Sequence, residues 1–237
     1  MDFDNRVALI TGGTGALGSA VTRAFLRKGA QVVTTYHSEA GFRELQNQLS
    51  EEKSGLTGLP ANVTKAAEVQ KLIEEVAAKF GRIDILVHLV GGFAGGVNVA
   101  DLAESDWDRL LNLNLKSAFL MCRAVLPYML QNNFGRIVTT ASRGAVEVGA
   151  GVSAYAVSKA GVLTLTKAIA HEVKGRNIIA NTILPGLIDT AANREAMPHA
   201  DQIKFVTAES IAEVILFLAG EKARDINGAA IPIYGAS

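Results

Sequence analysis

Tyr155 and Lys159 stand four residues apart in the stretch Ser153-Ala154-Tyr155-Ala156-Val157-Ser158-Lys159-Ala160-Gly161. On a helix, residues at that spacing share a face, so a phenol and an ammonium would lie side by side. A cation beside a phenol favours the phenolate and lowers its pKa from the ordinary value of about 10. Tyr155 would then give or take a proton near neutral pH. The same spacing also occurs as a plain surface pair. A second stretch carries different chemistry. The apolar run Val7-Ala8-Leu9-Ile10 is followed by Thr11-Gly12-Gly13-Thr14-Gly15-Ala16-Leu17-Gly18, then by a helical pattern through Val21, Ala24, Phe25 and Leu26 that Gly29 stops. Strand, glycine turn and helix form the context in which Gly13-x-Gly15-x-x-Gly18 brings backbone N–H groups close to a pyrophosphate. Glycine turns also join strands to helices with no ligand.

The elements that must hold these groups follow from periodicity. Gln31–Tyr36 reads as a second strand. It ends Thr35-Tyr36-His37-Ser38, without the carboxylate that holds the ribose of NAD(H), which favours NADP(H) over NAD(H). His37 is either a contact at that turn or a plain surface residue. Phe42–Leu49 looks helical, and Leu56–Ala61 is a short third strand. Thr64 is expected to cap a helix whose Val69, Leu72, Ile73, Val76, Ala77 and Phe80 share one face. Ile83–Val90 is a buried strand ending in Gly91-Gly92. A helix over Asp101–Leu111 follows, then a long one through Asn114, Phe119, Cys122 and Val125, with Pro127 expected to bend it. Arg136–Ala141 is a fifth strand ending near Ser142, and Ala154–Val173 is the helix of Tyr155. Ile178–Leu184 is a sixth strand, closed by Pro185-Gly186. A helix over Ala208–Leu218 and a strand over Ala230–Tyr234 complete the series. Such alternation predicts an α/β fold: a single doubly wound parallel β-sheet, Rossmann-like, with helices on both faces, in one domain spanning 1–237. Ligands of such sheets bind at the carboxyl ends of the strands. Gly12–Gly18, Gly91, Ser142 and Pro185-Gly186 all follow strands, so the candidate chemistry converges on one edge.

Composition narrows the classes. Hydrophobic residues are 49% and charged residues 19%, a buried-sheet composition rather than a disordered one. The formal net charge is +0 and no basic run occurs, which disfavours nucleic acid as a partner. The single cysteine, Cys122, excludes an internal disulfide and a cysteine metal cage, and no metal site is expected. The first residues lack a signal-peptide pattern, and no run of about 18 apolar residues exists to cross a membrane, so a cytoplasmic protein is expected.

At this point the sequence resembles the short-chain dehydrogenase/reductase family of NAD(P)-dependent oxidoreductases over nearly its whole length. Thr11-Gly12-x-x-x-Ala16-Leu17-Gly18 is similar to the family's cofactor loop, and Trp107-Asp108-Arg109-Leu110-Leu111-Asn112-Leu113-Asn114 to the segment ending in its catalytic Asn. Gly135-Arg136-Ile137-Val138-x-x-x-Ser142 resembles the strand leading to its catalytic Ser. Tyr155-x-x-x-Lys159 follows Ser142 by 13 residues, and Pro185-Gly186-Leu187-Ile188-Asp189-Thr190 resembles the nicotinamide segment. Three departures stand out. Ala16 replaces the second loop glycine, in wording also similar to dihydropteridine reductases. His88-Leu89-Val90-Gly91 replaces Asn-Asn-Ala-Gly, removing an Asn expected beside the adenosine. Asn62-Val63 replaces Asp-Val near the adenine.

The resemblance implies hydride transfer between a nicotinamide and a carbonyl or alcohol carbon. It makes Tyr155 the proton donor or acceptor and Lys159 the group that lowers its pKa and holds the ribose. Ser142 would bind the substrate oxygen, and Asn114 would hold a relay water. It assigns the cofactor to Gly12, Gly13, Thr14, Ala16, Leu17, Gly18, His37, Asn62, Val63, Gly91, Tyr155, Lys159, Pro185, Gly186, Ile188 and Thr190. Asp189 beside them reads as a solvated loop residue. Arg143 would either face an acidic substrate group or lie at a surface, and His199 falls in the short substrate-loop segment Ala191–Lys204. The loops Gly92–Val99 and Ala145–Val152 are apolar or glycine-rich, which favours a neutral or apolar small-molecule substrate. A homodimer or homotetramer through the helices around Asn114–Gln131 and Ala154–Val173 is expected. A pteridine or 3-oxoacyl-acyl-carrier-protein reductase is the alternative on the same fold. A catalytically silent nucleotide sensor would be expected to lose Tyr155, Lys159 or Ser142, and all three are present.

Overall fold

In the computed structural model, residues 3–199 and 205–236 are described. Seven strands form one parallel sheet: β1 (Val7–Thr11), β2 (Gln31–Tyr36), β3 (Leu56–Pro60), β4 (Ile85–His88), β5 (Gly135–Thr140), β6 (Ile178–Pro185) and β7 (Ala230–Ile233). Their order is β3-β2-β1-β4-β5-β6-β7. The order reverses between β1 and β4, which pair through Ala8↔Ile85 to Thr11↔His88. A crevice opens outside the carboxyl ends of the strands at such a reversal.

Among the described residues, eight α-helices accompany the sheet: α1 (Ala16–Arg27), α2 (Glu39–Gln48), α3 (Ala66–Phe80), α4 (Glu104–Leu110), α5 (Ser117–Asn132), α6 (Ser153–Glu172), α7 (Ala191–Ala196) and α8 (Ala208–Ala219). Strand side chains alternate between faces, and this divides the apolar runs between two cores. Val7, Leu9, Val33 and Leu86 pack with Val69, Ile73 and Val76 of α3 and with Met121, Val125 and Met129 of α5. Ala8, Ile10, Val32, Ile85 and Val87 pack with Val21 and Phe25 of α1 and with Ile211 and Ile215 of α8. Both faces are buried, which is why the strands are continuously apolar instead of alternating.

Element ends shift by up to three residues, as at Glu39 of α2 and Glu104 of α4, and two features differ in kind. Thr64 does not cap α3. Lys65 occupies that position without a side-chain bond. Thr64 instead donates its N–H and its hydroxyl to Asn62 Oδ1, at 3.0 and 2.7 Å. The short Asn side chain competes successfully for these local donors. The expected long helix through Asn114 is interrupted by a π-helical turn over Leu111–Lys116 before α5 begins. Such wide turns recur at functional sites. This one carries Asn114 inward to 1% exposure. Pro127 lies within α5.

Candidate active site

The glycine loop runs from β1 into α1. Gly12 has a positive φ of 73°, a conformation glycine adopts without strain. Its carbonyl accepts from Gly15 N–H at 3.0 Å. A Cβ on Gly18 would lie 2.0 Å from that carbonyl oxygen, so the loop can fold onto α1 only with glycine there. A Cβ on Gly13 would lie 1.9 Å from Thr34 Oγ1. Ala16 is the first residue of α1 and needs no special backbone conformation, so the departure from glycine costs little. Gly15 stands at the cap position with no side-chain bond to the helix N-terminus, and the first turn holds no acidic residue. The free N–H groups and the helix dipole favour an anion. These features fit a dinucleotide pyrophosphate held by Gly12, Gly13, Thr14, Ala16, Leu17 and Gly18.

The remaining strands deliver the other groups to the same edge. Gly91 follows β4. A Cβ there would meet Lys159 Nζ at 2.9 Å and Asn114 Oδ1 at 3.0 Å. Gly91 therefore leaves the floor between the loop and these two side chains clear. The Asn114 amide bridges two elements: Nδ2 donates to Gly92 O at 3.0 Å and to Ser158 Oγ at 2.9 Å, and Oδ1 accepts from Gly92 N–H at 2.7 Å. Ser158 in turn donates to Tyr155 O at 2.7 Å. Ser158 was not singled out in the sequence, although its position three residues after Tyr155 puts both on one side of α6. Asn114 thus joins the Gly91-Gly92 loop to α6.

Ser142 follows β5 and accepts from Gly144 N–H at 3.1 Å, closing a short 3-10 turn. Its hydroxyl lies beside the Tyr155 phenol across Gly144 and lowers the phenol's pKa. Lys159 is 5% exposed and donates from Nζ to Thr140 O at 2.9 Å. Burial pulls its pKa down to about 8. The direction at Tyr155 differs from the expected depression. Burial pushes the phenol above its ordinary value, and the Ser142 hydroxyl opposes this. Lys159 is directed to the β5 carbonyl, and burial and Ser142, not its charge, set the direction at the phenol in the free protein. Phe93 stands edge-on to Tyr155 at 4.9 Å between ring centroids and contributes to that burial.

The β6 end carries the Pro185–Thr190 segment. Gly186 N–H donates to Ile233 O at 2.9 Å, fastening it to β7. Thr190 caps α7 by accepting from Asn193 N–H at 3.1 Å, and Asn193 Nδ2 donates to Ile188 O at 2.8 Å. Asp189, read as a solvated loop residue, forms a two-bond pair with Arg194 at 2.6 and 2.7 Å.

At the adenosine end the departures have physical accounts. Asn62 Oδ1 is engaged by Thr64, and Val63 is buried. His37 is exposed beyond β2, and Ser38 caps α2. His88 does not face outward: it is 1% exposed and lies between Thr11 and Ser117. Arg143 pairs with Glu147 at 2.7 Å and stacks over the Tyr234 ring at 4.9 Å, so its charge is already met within the chain. His199 is exposed, and residues 200–204 of its loop lie outside the described residues. No cluster of His, Cys, Asp or Glu among the described residues could hold a metal.

A glycine loop at a helix N-terminus, a buried lysine and a phenol beside a serine lie together on one sheet edge, an arrangement that fits a dinucleotide-dependent oxidoreductase. The sequence matches the short chain dehydrogenase family over residues 6–201. It is 35% identical to the 3-oxoacyl-acyl-carrier-protein reductase of Thermotoga maritima, covering 99% of this chain and 98% of that one. It is 37% identical to the D-threitol dehydrogenase of Mycolicibacterium smegmatis, covering 98% and 93%. Among solved structures it resembles levodione reductase, with a TM-score of 0.91, 28% identity and coverage of 98% and 97%. It also resembles an actinorhodin polyketide ketoreductase solved with NADPH, with a TM-score of 0.90, 27% identity and coverage of 97% and 96%. The chain belongs to the short-chain dehydrogenase/reductase family and is an oxidoreductase acting on CH–OH and C=O groups.

Proposed function

We propose that the protein reduces the carbonyl of a neutral, mostly apolar small molecule with NADPH, with Tyr155 as proton donor. The observation that carries this is the convergence of Tyr155, Ser142 and Lys159 at the edge where the glycine loop opens. The bound nicotinamide supplies the hydride. Ser142 orients the substrate oxygen beside the phenol, and Tyr155 protonates it as charge develops there. Lys159 holds the ribose hydroxyls and draws the phenol down from its raised resting pKa once it turns from Thr140 O. Both Nδ2 protons of Asn114 are used within the chain and Oδ1 accepts one bond, so the second Oδ1 lone pair is the group left to hold a relay water to Lys159. Thr190 and the Ile188 backbone receive the carboxamide, with Pro185 and Gly186 behind them.

The preference for NADP(H) over NAD(H) rests on the end of β2, where His37 and Ser38 offer donors and no carboxylate. The substrate class rests on the apolar rim of Phe93, Val146, Val148 and Leu187, all exposed. The 3-oxoacyl-acyl-carrier-protein reductase among the relatives favours a second reading, a 3-oxoacyl thioester as substrate. We read the chain as one domain over 1–237, working in the cytoplasm as a homodimer or homotetramer. Among the described residues, no helix is long and apolar enough to cross a membrane.

A panel of ketones, 3-oxoacyl thioesters and alcohols, followed by NAD(P)H absorbance, tests the reading. Turnover of a neutral ketone with NADPH is expected. Tight cofactor binding without turnover of any panel member would make the protein a nucleotide sensor instead.

A further inference from the structure

His88 is a buried titratable group that the proposed reaction does not use. It ends β4, next to the loop that reaches Gly91, and pairs in register with Thr11. Its Nδ1 lies 2.9 Å from Thr11 Oγ1, and its Nε2 lies 3.1 Å from Ser117 Oγ. The neighbouring bonds fix which nitrogen carries the proton. Ser117 donates its only hydroxyl proton to Leu113 O, within the π-helical turn. Its oxygen can therefore only accept from the histidine, and Nε2 is the donor. Nδ1 is then an acceptor, and the Thr11 hydroxyl donates to it. Thr11 Oγ1 uses a lone pair to accept from Leu89 N–H at 3.2 Å. Each proton is used once along the chain.

We propose that His88, held as the neutral Nε2–H tautomer, is a positioning residue that couples the start of the glycine loop to the turn carrying Asn114. On one side it fixes Thr11, the residue before Gly12. On the other it fixes Ser117 and, through Leu113 O, the turn whose next residue is Asn114. Burial and the nearby Lys159 charge lower its pKa to about 3, so it stays neutral and serves as a fixed strut, not a proton relay. An asparagine reaches only one of these partners, and the imidazole spans both. The proposal rests on the reading of the site given above.

Nitrogen-15 NMR of the histidines of the full chain tests the tautomer, with the His88 signals identified by their loss in His88→Gln. The expected pattern is the Nε2–H form, unchanged between about pH 5 and 8. An Nδ1–H form, or protonation in that range, would overturn the proposal. Two variants then separate the arms. His88→Asn keeps an acceptor at the Nδ1 position for Thr11 and loses the Ser117 arm. His88→Gln keeps a donor at the Nε2 position for Ser117 and loses the Thr11 arm. With one buried hydrogen bond unmade in each, His88→Gln should bind NADPH about tenfold more weakly with kcat retained. His88→Asn should keep the NADPH affinity and lose about tenfold in kcat. Equal effects of both variants on both parameters, or none, would overturn the coupling. The tautomer measurement and the NADPH titration need no turnover. A parent that reduces no carbonyl would therefore remove the functional reading and leave this proposal to be decided by those two measurements.

Discussion

Lys159 is placed at a cost to stability, and replacing it should expose that cost. Burial lowers its pKa from 10.5 to about 8. At about 1.4 kcal/mol per unit, the charged form is disfavoured in the folded chain by about 3 kcal/mol. The sign follows from proton counting. Between about pH 8 and 10.5 the unfolded chain binds more protons than the folded one, so stability rises with pH across that window. Below it both states are protonated and the full penalty is present. Lys159→Met removes the charge at similar length. It also removes the bond to Thr140 O, worth about 1 kcal/mol. The net expectation is a gain of about 2 kcal/mol at about pH 7, shrinking as pH rises through about 8. Urea unfolding of parent and variant across that range measures it, and the variant should at the same time lose turnover. A Lys159→Met variant less stable than the parent at about pH 7, or a difference independent of pH, would refute the reasoning.

Other expectations concern the surroundings of the site. Gly18→Ala places a Cβ 2.0 Å from Gly12 O and should weaken NADPH binding by at least about tenfold while destabilising the fold by about 1–3 kcal/mol; cofactor fluorescence titration and urea unfolding read the two effects. Phe93→Ala uncovers the Tyr155 ring. The phenol pKa should fall, moving the loss of reductase activity to lower pH, whereas stability should change by less than about 1 kcal/mol because Phe93 is 69% exposed. Cys122 is 1% exposed, and burial pushes its thiol up to about 12. It should resist alkylation in the native protein and react only on unfolding, as mass spectrometry of the labelled chain would show.

The strands were legible because each is a short apolar run bounded by glycine or polar residues, and the structure keeps all seven. Their two-sided burial is why the runs are continuous, and it also hides register, which only the pairing reveals. The π-helical turn at Leu111–Lys116 was not legible. Its residues fit an ordinary helix, and the wide turn is set by Asn114 bonding across to Gly92 and Ser158. Thr64 read as a cap because local sequence shows a hydroxyl before an amphipathic run, while the competing Asn62 acceptor depends on how the chain turns. Tyr155 and Lys159 were singled out by type and spacing and Ser142 by the resemblance, and the structure brings the three to one sheet edge. The raised Tyr155 pKa was not legible, because burial by Phe93 and the turn of Lys159 toward Thr140 O are tertiary facts. His88 was noticed as a departure, but its inward orientation depends on Ser117, which no sequence signal connects to it.

The central claim is that the Tyr155 phenol is the proton donor of a hydride transfer. Tyr155→Phe keeps the ring and its contact with Phe93 and removes only the hydroxyl. The decisive measurement is the single-turnover rate of NADPH oxidation by this variant on a ketone the parent reduces, with NADPH affinity measured alongside. The account predicts a rate lower by about 10²–10⁴-fold at nearly unchanged affinity. A variant that kept most of the parental rate would contradict it.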